Sequence, residues 1–261
     1  MSKYINKILA KTIGLNLKRI NSRRVTKNKI KPIYVEFLGA SGVGKTTLFQ
    51  NTFYQIKNKW LHSSEFSKLF SNYIDGKATE SLPIYQELAQ QKIKSVVFRN
   101  FSGIDQMNLI KYFYSVLIDD SLIYLFNKNY NVISEDGLLH NYSDCLYPLY
   151  KSNKEELESI IKHRAIVYCY TSAEILAGRI LEREKNTGQL RPQHKKVNSF
   201  DELVSLQKKS LNQKSELLDF LSKYDIPVLS IDTSNPMVEN VKSVKTYLAN
   251  LTNNRESDDL F

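Results

Sequence analysis

The sequence predicts an α/β fold in which helices cover both faces of a central parallel sheet. Three observations predict it. Apolar runs at 33–38, 131–134, 165–170 and 227–231 alternate with helical stretches of ten or more residues, the pattern of strand–helix–strand units. The first run ends in a glycine-rich loop that opens a helix, Gly39-Ala40-Ser41-Gly42-Val43-Gly44-Lys45-Thr46. The composition, 42% apolar and 25% charged over 261 residues, is that of a globular chain and excludes a disordered or fibrous one.

The chain divides into three parts by charge and pattern. Of the 37 basic residues, ten fall in residues 1–31, which contain no acid, so the other 27 balance the 27 acidic residues. The net charge of +10 therefore belongs to a leader, and the body of the fold is neutral, which argues against nucleic acid as a partner. Within the leader, Ile5, Ile8, Leu9, Ile13, Leu17 and Ile20 recur at three- and four-residue steps, with lysines mostly opposite. An apolar stripe beside a cationic face suits a helix lying on an anionic membrane; a helix packed on the domain or a polyanion-binding arm are the other readings. Residues 32–252 form the predicted domain, and 253–261 an acidic flexible tail.

Pro32 and Gly39 bound the first strand, Ile33-Tyr34-Val35-Glu36-Phe37-Leu38, whose nearly continuous apolar character fits a buried parallel strand. The next helix turns Leu48, Phe49, Phe53, Ile56 and Trp60 inward. Residues 61–100 read as largely helical with a break at Leu82-Pro83, and 104–127 as a long buried helix. A helix ends over 157–162, and further helices follow at 172–185, 200–223 and 238–251, with a polar, basic loop over 186–198. The two cysteines, Cys145 and Cys169, make no disulfide framework, the four histidines lack zinc spacing, and no apolar run reaches 18 residues. A reduced, cytoplasmic setting is expected, with peripheral attachment at the inner face of the membrane through residues 1–31.

The glycine-rich loop matches G-x-x-x-x-G-K-[ST] in full and in the right context. Glycines let consecutive backbone N–H groups point at phosphate oxygens, and the helix N-terminus adds the positive end of its dipole. Residues 39–46 together with Thr47 are the expected cofactor contacts, with Lys45 on the β/γ-phosphates and Thr46 on Mg²⁺. The second strand ends in Glu135-Asp136-Gly137. Carboxylates at that edge face the ligand crevice of such a sheet, where they support a metal or take a hydroxyl proton; which acid does which is left open. An ordinary solvated turn is the alternative. His140, four residues after Asp136, is a candidate acceptor contact, as are Arg99 and Arg191. Arg179 and Arg183 share a helix face and lead into the basic loop, the arrangement of a lid that closes over phosphate, or else of a solvated charged surface.

With these motifs in order, residues 32–250 resemble the thymidylate kinase/deoxynucleoside kinase group of P-loop kinases. The resemblance implies a five-stranded parallel sheet, ATP with Mg²⁺ as phosphoryl donor, an acidic base at Glu135, and lid arginines at Arg179 and Arg183. One position departs from the group: Asp136 stands where an arginine normally follows the acid. The Glu-Asp-Gly-Leu-Leu-His pattern looks more like divergent thymidylate-kinase-like proteins found beside bacterial surface-polysaccharide genes. A negative charge there disfavours a nucleoside monophosphate, so an uncharged hydroxyl acceptor such as a sugar or cell-surface glycan precursor is expected. A deoxynucleoside or nucleotide kinase and a P-loop ATPase switch at a membrane surface are the alternatives.

Overall fold

A computed structural model describes residues 34–70, 83–98, 102–127, 130–152, 154–188, 197 and 199–258. The leader, Arg99 and Arg191 lie outside the described residues. Five strands run in chain order as β1 (Tyr34–Gly39), β2 (Leu61–His62), β3 (Val132–Ser134), β4 (Arg164–Tyr170) and β5 (Val228–Asp232). They pair in the order β2-β3-β1-β4-β5, and every pairing is parallel. The expected five-stranded sheet is present.

β1 is the central strand, and all six of its residues are buried. Its alternation splits the core in two. Val35 and Phe37 pack on one face with Leu48, Phe49, Trp60, Val167, Leu176 and Leu248. Leu38 packs on the other with Ile84, Leu88, Leu138, Leu146, Ile166 and Leu217. The first face is covered by α1 (Lys45–Ile56), α8 (Ala173–Thr187) and α10 (Met237–Asp258). The second is covered by α3 (Pro83–Val97), α4 (Gly103–Phe126), α5 (Leu138–Asn141), α6 (Ser143–Ser152), α7 (Lys154–Ile161) and α9 (Phe200–Leu221).

Some details differ from the sequence reading. The stretch from residue 61 opens with the edge strand β2 before α2 (Ser63–Phe70), because two residues of pairing carry no readable period. Trp60 is buried just beyond the end of α1 rather than within it. The last helix runs on to Asp258, through most of the segment read as a tail. Serine caps fix three helix starts: Ser102, Ser172 and Ser199 accept from the backbone N–H of Asp105, Ile175 and Glu202, satisfying donors that a helix leaves free. Both cysteines are buried free thiols. Among the described residues, no helix is long and apolar enough to cross a membrane.

Candidate functional site

The carboxyl ends of β1 and β3 lie side by side, so the glycine-rich loop and the acid turn meet. Gly39 ends β1 under a tight constraint: a Cβ there would stand 2.6 Å from the Cys169 carbonyl oxygen on β4. Gly42 and Gly44 take φ of 84° and 89°, the left-handed region that glycine reaches without steric cost. α1 begins immediately after Gly44. The buried Lys45 ammonium donates to the Glu135 carbonyl oxygen at 2.9 Å and forms an ion pair with Asp136 Oδ1. Thr46 Oγ1 donates to Glu135 Oε1. His140 Nε2 stands 3.5 Å from Asp136 Oδ1. Lys45, Thr46, Glu135, Asp136 and His140 thus form one constellation, although almost ninety residues separate its two halves.

The loop at the end of β1 lies where chain connections diverge to the two sides of the sheet, which is where such folds bind ligands. A glycine-rich loop and helix N-terminus at that switch point, with acids on the adjacent strand end, decide the fold type. The fold is a parallel α/β sheet of five strands with a phosphate-binding-type loop at its switch point. No family model and no curated protein matches the chain. Among solved structures it is similar to deoxyadenosine kinase from M. mycoides with bound dATP, at 13% identity over 83% of this chain and 99% of that one, TM-score 0.42. It is also similar to shikimate kinase from Bacteroides thetaiotaomicron (14% identity, 83% and 98% covered, TM-score 0.42) and to a gluconokinase from Sinorhizobium meliloti 1021 (14%, 89% and 99%, 0.38).

The residues present fit a nucleotide and its metal. The Ser41 hydroxyl is buried inside the loop with no hydrogen-bond partner among the described residues, as a group that meets a phosphate oxygen would be. The Thr46 hydroxyl and the Glu135 carboxylate are the hard oxygen donors that Mg²⁺ takes, and they already touch. Thr47 is exposed at the same helix start.

The arginines of α8 take different places. Arg179, read as a lid residue, braces the loop instead. Its guanidinium donates to the Val43 carbonyl oxygen at 3.0 Å and to Oγ1 and the carbonyl oxygen of Thr233 at 3.1 and 2.9 Å. It thereby ties the loop to the turn after β5. Arg183 lies one turn further along α8, half-buried.

Beneath the acid turn is a buried ionic cluster that the motifs did not announce. Glu36, in the middle of β1, accepts from the backbone N–H of Leu139 at 2.9 Å and pairs with Arg164. Arg164 also engages Asp120 at 2.6 and 2.7 Å, and Tyr85 donates to Asp120 at 2.6 Å. A Cβ on Gly137 would collide with the Glu36 carboxylate, so that glycine is what lets the turn close over β1. A lone glutamate inside an otherwise apolar strand was the available signal. Lys92 and Lys214, buried on α3 and α9, were likewise missed.

One guanidinium stands between two buried carboxylates, and burial pushes the Glu36 carboxyl up from 4.5 to about 7. A raised carboxyl pKa means that the folded state holds the proton more tightly than the unfolded state. The stability that Glu36 confers is complete below pH 4.5 and is lost as pH rises through 7, by about 3 kcal/mol. Urea unfolding at pH 5 and pH 8 checks this: Glu36→Gln is expected to flatten the pH slope by that order, and equal slopes refute it.

Proposed function

We propose that the chain is an ATP- and Mg²⁺-dependent kinase that transfers the γ-phosphoryl group to a hydroxyl of a small acceptor, a sugar or cell-surface glycan precursor. The observation that carries this reading is the meeting of Lys45 and Thr46 with Glu135 and Asp136 at one sheet edge. A loop that only filled a strand–helix connection has no need of two acids set against its lysine and hydroxyl.

The backbone N–H groups of residues 42–46 and the start of α1 hold the phosphates in place. Lys45, seated between Glu135 and Asp136, turns its ammonium to the β/γ-phosphates and neutralises charge as it develops. When bound, Mg²⁺ would supply positive charge that offsets the charge of the phosphates. Thr46 and one of the two acids hold that ion, and the other acid takes the proton from the acceptor hydroxyl. Arg179 keeps the loop fixed, so that the cradle is formed before the nucleotide arrives.

The test is ADP release with ATP and a panel of sugars, nucleosides and nucleotides. ADP is expected only with a matching acceptor, and Glu135→Gln is expected to cut that rate at least about 10²-fold. Transfer to nucleosides alone would move the protein to the deoxynucleoside kinase reading. ATP hydrolysis that no acceptor stimulates and that survives Glu135→Gln would leave a P-loop ATPase switch.

The proposal extends to location. The charge and apolar stripe of residues 1–31 support attachment to an anionic membrane surface, at about 1 kcal/mol for each engaged basic residue. The full chain is expected to sediment with phosphatidylserine vesicles at low salt and a chain starting at Pro32 is not. Equal sedimentation of the two refutes the attachment.

A further inference from the structure

α4 is apolar around most of its circumference: of its 24 residues only Asp105, Lys111, Asp119 and Asp120 are charged. A helix of that composition is expected to be covered on every side, and the sequence reading made 104–127 a buried helix. In the structure one side is buried and the other is not. Val116, Leu117, Leu122 and Ile123 lie in the core. Ile104, Met107, Lys111 and Tyr114 recur at three- and four-residue steps on the outer side, and all four are exposed. Exposure is greatest at the tip that α4 shares with α3: 52% at Val97, 86% at Phe98, 72% at Ile104 and 72% at Met107. The two helices make one surface there. Gln106 Nε2 donates to the Val97 carbonyl oxygen at 3.4 Å, and Ile93 and Tyr114 line one crease between them. Apolar side chains exposed singly are ordinary, but a contiguous set marks a surface that meets a partner.

The order of polarity along the hairpin identifies that partner. Val97, Phe98, Ile104 and Met107 form the end. The exposed Lys94 and Lys111 stand about 6 and 10 Å behind Phe98 and Ile104 along the helix axes, and Tyr114 follows. Apolar side chains reaching about 5–10 Å beyond lysines and a tyrosine match the layers of a bilayer surface, where acyl chains lie beneath anionic headgroups. Asp105, the one acid between residues 90 and 115, is engaged at its own helix start, where Ser102 Oγ donates to it at 2.7 Å. A second copy docked here by two-fold symmetry would bring the same cations against Lys94 and Lys111. Anionic lipid offers them opposite charge.

The tip also lies on the side of the phosphate loop. α4 leads into β3, so its start points toward the sheet edge where β3 ends beside Glu135. The hydroxyl of Tyr142, one residue past α5, donates to the Phe113 carbonyl oxygen at 2.7 Å, which sets Phe113 level with the end of α5. Ile104 stands nine residues earlier, about 14 Å further out along the helix.

We propose that the tip of the α3–α4 hairpin is a wedge that enters an anionic membrane. Val97, Phe98, Ile104 and Met107 lie among the acyl chains, Lys94 and Lys111 lie at the headgroups, and the phosphate-loop edge of the sheet turns toward the lipid. The wedge belongs to the folded domain and goes beyond attachment through residues 1–31. A few apolar side chains alone give reversible contact, and stable anchoring takes two signals, so wedge and leader act together.

The test is quenching of tryptophan emission in the full chain, on vesicles of phosphatidylserine and phosphatidylcholine whose acyl chains carry bromine. The one native tryptophan, Trp60, is buried and gives a fixed background. Phe98→Trp is expected to lose most of its added emission on brominated vesicles relative to unbrominated ones. Tyr54→Trp, at an exposed aromatic on α1 across the sheet, is expected to lose none. Phe98→Asp and Ile104→Asp are each expected to weaken vesicle binding of the full chain at least about tenfold, with the urea midpoint unchanged because both side chains are exposed. Sedimentation with vesicles but no quenching at position 98 and no weakening by either aspartate overturns the wedge and leaves attachment to the leader. Equal quenching of the Phe98→Trp and Tyr54→Trp chains overturns it as well. A full chain that does not sediment overturns wedge and leader together. A dimer in lipid-free buffer that Phe98→Asp dissociates, with no quenching on vesicles, gives the face to a second copy instead.

Discussion

Lys45→Met is expected to lower kcat/KM by about 10³-fold or more, equivalent to about 4 kcal/mol of lost transition-state stabilisation, and to leave the fold standing. The geometry separates these two outcomes. Without nucleotide, Lys45 is occupied by the Glu135 carbonyl oxygen and the Asp136 carboxylate. Asp136 is partly exposed, with 35% of its side chain accessible, so water replaces the lysine once it is gone. The cost to unfolding is therefore expected to stay below about 1 kcal/mol, the scale of a partly exposed pair. Methionine keeps most of the aliphatic length that fills the space under the loop. What it cannot supply is a cation against the phosphates, in a site where low polarity magnifies charge. Thermal unfolding with and without MgATP, together with acceptor-dependent ADP release, checks both halves. A variant that keeps its turnover would show that Lys45 serves only to pair Asp136.

The division between what the sequence disclosed and what it concealed follows from the kind of constraint involved. The phosphate loop was fully legible because its residue types answer to backbone geometry: Gly42 and Gly44 occupy left-handed φ values, and the lysine and threonine follow at fixed positions. Glu135 and Asp136 were legible by place, since they stand at a strand end. The sheet emerged as four strands with the fifth supplied by resemblance, because β2 is two residues long. The helix at 143–152 went unread, as Pro148 lies inside it and reads as a breaker. Charges that long-range contacts bury carry no local mark. Lys92 and Lys214 stand in helices as lysines on a solvated face would, and only the fold brings them to Asp144 and Ser143. Arg179 was found by its spacing, but its hydrogen bonds to Val43 and Thr233 depend on the β5 turn, which no spacing on α8 reveals.

Arg164→Leu is expected to cost about 3–5 kcal/mol, the range for removing one partner from a buried ion pair. Against a total stability of about 5–15 kcal/mol for a globular protein, that is among the largest single losses available here. The guanidinium is almost wholly buried and supplies the positive charge between Glu36 and Asp120. Removing it leaves two carboxylates facing each other out of water, and one must take up a proton for the fold to persist. Arg164 Nε also donates to the Ile160 carbonyl oxygen at 2.8 Å, and its guanidinium carbon lies 4.9 Å from the Tyr34 ring centroid, so α7 and the first residue of β1 lose a contact as well. The consequence reaches the site through Glu36, which holds the Leu139 N–H just beyond the acid turn. A shifted Glu36 shifts Glu135 and Asp136, so MgATP affinity is expected to fall together with stability. Urea unfolding at pH 7 measures the first effect and titration with MgATP in the native baseline measures the second. Adding Glu36→Gln to Arg164→Leu removes one of the two stranded carboxylates and is expected to recover part of the lost stability. If that double variant loses the full sum of the single effects, the cost of Arg164→Leu lies in packing and not in stranded charge.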